Sequence, residues 1–264
     1  MSSLEKFIVD GTLAEKLATA QEKVRKSPSD AAARVYLFQL QAVLGLWEKA
    51  LIQLQTAASF DPGAIPMAQI YREAIRAEVF RDEVFAGKRL PRILGEALDW
   101  MAGLTESLKH VAAGDFEKAD SLRNEALEKV APVSGRIDAI NFEWLADADS
   151  RLGPVFEVIV NGQYFWVAQD SIAELKIDAP IDLRDTIWAV CTLTLKNEGK
   201  QPALMPVRYP INPEQSDALL LARMTEWVNP GLDTWCGQGQ RMFTSESGDH
   251  ALLDTRSIVF DSAP

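Results

Sequence analysis

Few side chains in this 264-residue chain have the types and spacing that chemistry requires. There are two histidines, His110 and His250, and two cysteines, Cys191 and Cys236. A zinc site needs such ligands at short, recognisable spacing, and these four are scattered. His110 falls at the end of a helical segment, where an imidazole serves the negative helix terminus. The cysteines lie 45 residues apart with no CxxC pattern, which predicts reduced thiols rather than a disulfide framework.

Asp147-Ala148-Asp149-Ser150 is the one paired-carboxylate pattern that invites a reading as chemistry. A DxD phosphatase site needs a buried strand before it, to aim both carboxylates at one magnesium ion. The preceding Asn141–Ala146 stretch is mixed, and no matching acidic pair follows. As a calcium loop the pattern has Leu152 where the sharp-turn glycine belongs and Val158 where the bidentate glutamate belongs. A structural charged turn made by Asp147, Asp149 and Arg151 is the simpler expectation. Gly237-Gln238-Gly239 lacks the third glycine of a dinucleotide loop. No catalytic, cofactor-binding or metal-binding residue is therefore expected, and a hydrolase at Asp147 and Asp149 is the weaker rival.

Composition narrows the class further. Apolar residues make up 47% and charged residues 25% of the chain, ordinary values for a globular protein. The net charge of −11 disfavours a broad nucleic-acid footprint, which needs a basic face. The amino-terminal MSSLEKFIVDGTLAEK has charges within its apolar stretch and no cleavage pattern, so no secretory signal is expected. No run approaches the roughly 18 apolar residues of a membrane span. The expectation is a soluble cytoplasmic protein with no membrane or nucleic-acid partner.

The elements that would carry any site divide the chain in two. Residues 1–135 carry a net charge of −2 and are rich in Ala, Leu and Glu, which favour helix. Residues 136–264 carry −9 and hold five of the seven tryptophans, with many Val, Ile and Thr residues that favour strands. The breaker cluster Ala131-Pro132-Val133-Ser134-Gly135 marks the expected boundary. The fold class expected is α+β: a tetratricopeptide-like helical repeat domain over 1–135, then a smaller β-rich domain over 136–264, an antiparallel sheet or compact barrel.

The repeat is read from Gly45-Leu46-Trp47-Glu48-Lys49-Ala50, then Ala57 and Asp61-Pro62. Small residues recur where paired helices cross closely. The same frame stands 34 residues earlier at Gly11, Leu13 and Pro28, and again at Gly114, Phe116, Ala119, Ala126 and Pro132. Helices are expected over about 3–26, 30–43, 47–60, 65–86, 94–112 and 116–130, with Ser29 or Asp30 capping the second and Gly87 ending the fourth. In the fourth, Met67, Ile70, Ala74, Ile75 and Val79 form the expected core stripe. In the second half, Val155–Val160 and Gln163–Val167 flank Asn161-Gly162, a strong hairpin signal. Further strands are expected at 186–195, 241–244, 251–253 and 257–260, and a helix within 214–226.

Stacked helix pairs leave a concave face that suits a partner helix. Val35, Gln39 and Ala42 on the second helix, with Tyr71, Arg72 and Arg76 on the fourth, are the candidate protein-binding residues. The competing expectation is that Arg72 and Arg76 simply pair with Glu73 or other neighbours.

Several separated blocks resemble one family. They are Arg34-Val-Tyr-Leu-Phe-Gln-Leu, Leu44-Gly45-Leu46-Trp47 and Met67-Ala-Gln-Ile-Tyr-Arg-Glu-Ala-Ile-Arg. Trp144-Leu-Ala-Asp-Ala-Asp-Ser-Arg-Leu-Gly-Pro, Asn161-Gly162-Gln-Tyr164-Phe-Trp166-Val, Asp182-Leu-Arg-Asp185, Arg208-Tyr209-Pro210, Thr225-Glu-Trp227 and Leu253-Asp254 extend the match nearly to the end. Together they resemble the ImpE family, also called SciE or TagJ. The resemblance implies a cytoplasmic, non-enzymatic accessory protein of a bacterial type VI secretion system. It implies binding to an N-terminal helix of the small sheath subunit and a link to the AAA+ ATPase ClpV, which disassembles the contracted sheath. A general tetratricopeptide adaptor or chaperone with another client is the alternative.

Overall fold

Capping chemistry sets the helix boundaries in the computed structural model, which describes residues 11–197, 199–212 and 214–261. Helix α1 spans Leu13–Lys26. Thr12 and Glu15 close a reciprocal capping box at its start, and Lys23, Arg25 and Lys26 suit its negative end. The expected helix from residue 3 thus begins at Leu13 among the described residues, and its 3–10 portion lies outside them. Asp30 accepts from the Ala33 amide and opens α2, Ala31–Val43. Helix α3 covers Trp47–Phe60, and α4 covers Ile65–Phe85 with Pro66 in its first turn. Helix α5 spans Asp99–Ala113 and ends on left-handed Gly114. Helix α6 spans Phe116–Leu127, opened by the Asp115 side chain.

The helix expected from residue 94 begins only at Asp99, and a two-residue strand, β1 at Arg92–Ile93, lies before it. Strands β2 to β4 follow at Gly135–Ile137, Ile140–Phe142 and Leu145–Asp147. Strand β5 (Val155–Val160) and β6 (Gln163–Ala168) make the expected hairpin. Its turn residues Asn161 and Gly162 both have positive φ, 48° and 72°, which the right-handed strand twist favours in a two-residue turn. Then come β7 (Ile172–Ile177), β8 (Trp188–Leu195) and β9 (Lys200–Pro206). The helix expected within 214–226 is confined to α7, Asp217–Leu220, because β10 (Thr225–Gly231) takes over at Thr225. The chain closes with β11 (Thr234–Gly239), β12 (Met242–Ser245), β13 (Gly248–Ala251) and β14 (Ser257–Phe260).

The molecule is α+β, a mainly helical amino-terminal part followed by a strand-rich carboxy-terminal part. Nine strands form one sheet in the order β1-β6-β5-β9-β8-β7-β14-β2-β3. Its pairings are antiparallel, except that β1 joins β6 in parallel and so ties the helical half to the sheet edge. Small sheets β13-β12-β4 and β10-β11 stand apart from it.

Side-chain alternation along β5 explains the layering. Every residue of Val155–Val160 is buried. Val155 and Ile159 join the core shared with the helices, while Phe156, Val158 and Val160 join a second core on the opposite face. A strand buried on both faces reads as a continuous apolar run, and this one does apart from Glu157. The first core crosses residue 135 without a break: Phe38 and Tyr71 from α2 and α4 pack with Trp166 and Trp188 from β6 and β8.

Candidate docking groove and a buried polar seam

Glu157 points from β5 into the helical layer, and a charged seam assembles around it. Arg81 of α4 donates from Nε to its Oε1 at 2.6 Å and from Nη2 to its Oε2 at 3.0 Å. Arg241 and the Tyr164 hydroxyl also donate to this carboxylate. Arg241 bridges onward to Asp147, which accepts from the Tyr209 hydroxyl at 2.9 Å. Trp188 donates from its indole to Glu78 at 3.0 Å, and Arg208 donates to the Val43 carbonyl of α2 at 2.7 Å. All these groups are buried.

Their titration follows from burial set against neighbouring charge. Burial pushes the Glu157 carboxyl up, yet Arg81 and Arg241 override it and hold it at about 2. At Asp147 burial prevails over Arg241, and the carboxyl rises to about 6. Burial likewise raises Glu78. Asp149 accepts from its neighbour Arg151 and from the Gly237 amide at 2.7 Å. Both carboxylates of the DxD pattern are thus committed to arginines inside the chain, in line with a structural charged turn. Burial also raises the Cys191 thiol to about 12, which keeps it protonated. Among the described residues no His, Cys, Asp or Glu cluster is arranged to hold a metal.

The open site lies beside this seam and has the opposite character. A groove of about 410 Å³ runs between α4 and the sheet. Ile70 and Tyr71 form its helical wall, with Ile159, Val190, Pro202 and Leu204 opposite. Ile70 is 54% exposed and Val190 38% exposed. The polar side chains of the lining are few: Gln69, Glu73 and Asn161. The groove continues past Tyr71 and Val190 into a smaller hollow of about 110 Å³ beside Pro180 and the exposed Ile181. There Arg184 lies over the Tyr71 ring at 4.9 Å.

The six candidate binding residues fall into three settings. Gln39 and Ala42 are buried within the chain, and Arg208 donates to the Ala42 and Val43 carbonyls beside them. Val35 is half-buried. Tyr71 is buried against Trp188, ring centroids 5.5 Å apart, and its edge forms the groove floor. Arg72 and Arg76 both hold Glu73, at 3.0 and 2.9 Å, as the neighbour-pairing expectation had it.

Ile70 and Val79 depart from the expected core stripe, since both are about half exposed. The buried side of α4 runs instead through Tyr71, Ala74, Ile75, Glu78 and Arg81. Counting only apolar residues turned the expected face of this helix away from its charged, buried side. Val190 and Leu204 carried no separate signal, because a strand residue on the groove wall looks like any other apolar strand residue.

Comparisons with known proteins agree with this architecture. The family model described as ImpE protein matches residues 139–259. The type VI secretion system accessory component TagJ of Pseudomonas aeruginosa is 45% identical over 258 residues, 97% of this chain and 90% of its own length. The crystal structure of protein VPA1032 from Vibrio parahaemolyticus superposes with a TM-score of 0.87 at 24% identity, over 95% of this chain and 94% of that one. With one such relative aligned nearly end to end, the chain belongs to the ImpE family.

Proposed function

We propose that this chain is a cytoplasmic, non-enzymatic accessory component of a type VI secretion system. The carrying observation is its 45% identity to TagJ across 97% of the chain. In this reading the groove between α4 and the sheet seats the amphipathic N-terminal helix of the small sheath subunit. The helical half supplies one wall and the β-rich half the other, and the complex links the sheath to ClpV-dependent disassembly.

Groove chemistry supports that choice of partner. Its volume lies within the roughly 300–1,000 Å³ of ordinary binding pockets. Its lining is mostly apolar with few polar side chains, as an amphipathic helix with anchors at i, i+3, i+4 and i+7 requires. The helix pairs read as degenerate tetratricopeptide units. Left-handed Gly45 and Gly114 precede Trp47 and Phe116, and Ala50, Ala57, Ala119 and Ala126 are buried at the crossings. The commitment of Asp147 and Asp149 to internal arginines supports a role without catalysis. No helix among the described residues is long and apolar enough to cross a membrane.

Calorimetric titration of the full chain with a peptide copying the sheath subunit's N-terminal helix tests the proposal. Saturable binding that Ile70→Asp and Val190→Asp each weaken is the expected result. Equal binding by both variants would remove the groove from the account, and no binding at all would remove the partner.

A further inference from the structure

A second exposed apolar surface lies on the β10–β11 hairpin. Trp227, Val228, Leu232 and Trp235 are all between 38% and 57% exposed. The register pairs Trp227 with Gly237, so Trp235, two residues before Gly237, shares its face. Gly237 is a requirement of this arrangement: a Cβ there would lie 2.2 Å from the Tyr209 ring, which also packs on Trp227 with centroids 5.7 Å apart.

The hairpin is firmly anchored, so its exposed indoles are not a fraying end. Asp149 accepts from the Gly237 amide at 2.7 Å. Asp120 of α6 accepts from the Asp233 amide at 2.9 Å and from the Thr234 hydroxyl at 2.8 Å. Trp235 and Ser150 exchange hydrogen bonds at 2.9 Å. These contacts hold β11 and the turn, whereas the outer edge of β10 pairs with no strand among the described residues. Pro230 has no amide to donate, which limits further strand pairing to Thr225–Asn229.

Charge identifies the occupant. From Met224 to Gly239 the hairpin carries Glu226 and Asp233 and no Lys or Arg, where exposed edges are commonly guarded by lysine. Arg223 precedes it, and Arg123 of α6, which donates to the Asp233 carbonyl at 3.2 Å, is buried and neutralised by Asp120 at 2.7 Å. A second copy of this chain would bring the same carboxylates and another −11 charge. We propose that the β10 edge docks an extended basic segment of a partner protein. That segment pairs with Thr225–Asn229, laying alternate Lys or Arg side chains over the face of Trp227 and Trp235, while Glu226, on the opposite face of the strand, adds its charge at the edge. The surface is separate from the α4 groove and stands independently of what that groove binds.

The probe is a seven-residue alternating Arg-Val peptide, titrated at about physiological salt beside its Glu-Val counterpart and followed by calorimetry and tryptophan emission. The basic peptide is expected to bind and the acidic one not. Trp235→Ala, and separately Glu226→Gln with Asp233→Asn, are each expected to weaken binding about tenfold or more, with amide protection appearing at Thr225–Asn229. Glu48→Gln with Glu96→Gln, two exposed carboxylates of the helical half, is expected to leave binding unchanged. Equal loss in that control would show diffuse charge attraction and overturn the proposal. Equal binding of the two peptides, or self-association abolished by Trp235→Ala, would also overturn it.

Discussion

The polar seam around Glu157 and the apolar groove along α4 lie on the same helix and differ in almost every property. The seam holds the titratable groups and is closed to solvent; the groove is open and lined by hydrocarbon. Tyr71 and Glu78 stand two turns apart on α4, one flooring the groove and the other accepting from Trp188. A buried ion network demands near-complete pairing, which fixes how helices meet sheet but leaves no spare valence for a substrate. A groove without such demands is free to exchange one apolar neighbour for another. The most chemical-looking residues therefore join the two layers, and the least chemical surface is the one available to a partner.

Removing the charge at the centre of the seam should have the largest effect. Glu157→Gln leaves Arg81 and Arg241 short of their shared carboxylate, and a loss of about 3–5 kcal/mol is expected in urea unfolding. A loss below about 1 kcal/mol would show that the seam does not join the layers.

Acidity probes the same seam from the other side. Asp147 titrates at about 6 in the folded chain, above the roughly 3.9 of an unfolded aspartate. The folded state binds the extra proton, so this group adds stability as pH falls from about 6 to 4, on the order of 2 kcal/mol. Glu157, held at about 2, contributes stability above about 4.3 that is lost as pH falls further. Unfolding midpoints should therefore rise towards about pH 4–5 and drop below it, and Asp147→Asn should shrink the rise to the share left by Glu78, which burial also raises. Parallel curves for the two proteins would separate Asp147 from this behaviour.

Changes in the groove should invert the pattern. Ile70→Asp is expected to alter stability by no more than about 0.5 kcal/mol, because the side chain is half exposed. The same change should weaken a bound sheath-subunit helix about tenfold, roughly 1.4 kcal/mol. The smallest effect belongs to the rim. Arg76→Ala removes an exposed pair with Glu73, and a change under about 0.5 kcal/mol, shrinking in high salt, is expected by thermal unfolding.

Local chemistry was legible in the chain before any fold was known. Asp30, and Gly114 before Asp115-Phe116, mark helix ends through contacts only a few residues long, whereas the Thr12–Glu15 capping box fell inside the helix expected from residue 3. Asn161-Gly162 marks the hairpin because two consecutive positive φ angles favour those residues. The α+β order and the scarcity of His and Cys needed nothing beyond composition and pattern. Tertiary structure alone decided that β1 joins β6, that β10 and β11 form an exposed hairpin, and that Gln39 and Ala42 face inward. It also decided that Arg81, Glu157 and Arg241 meet across gaps of 76 and 84 residues. Such pairings depend on which surfaces come together when the layers stack, and side chains far apart in sequence carry no spacing signal for one another.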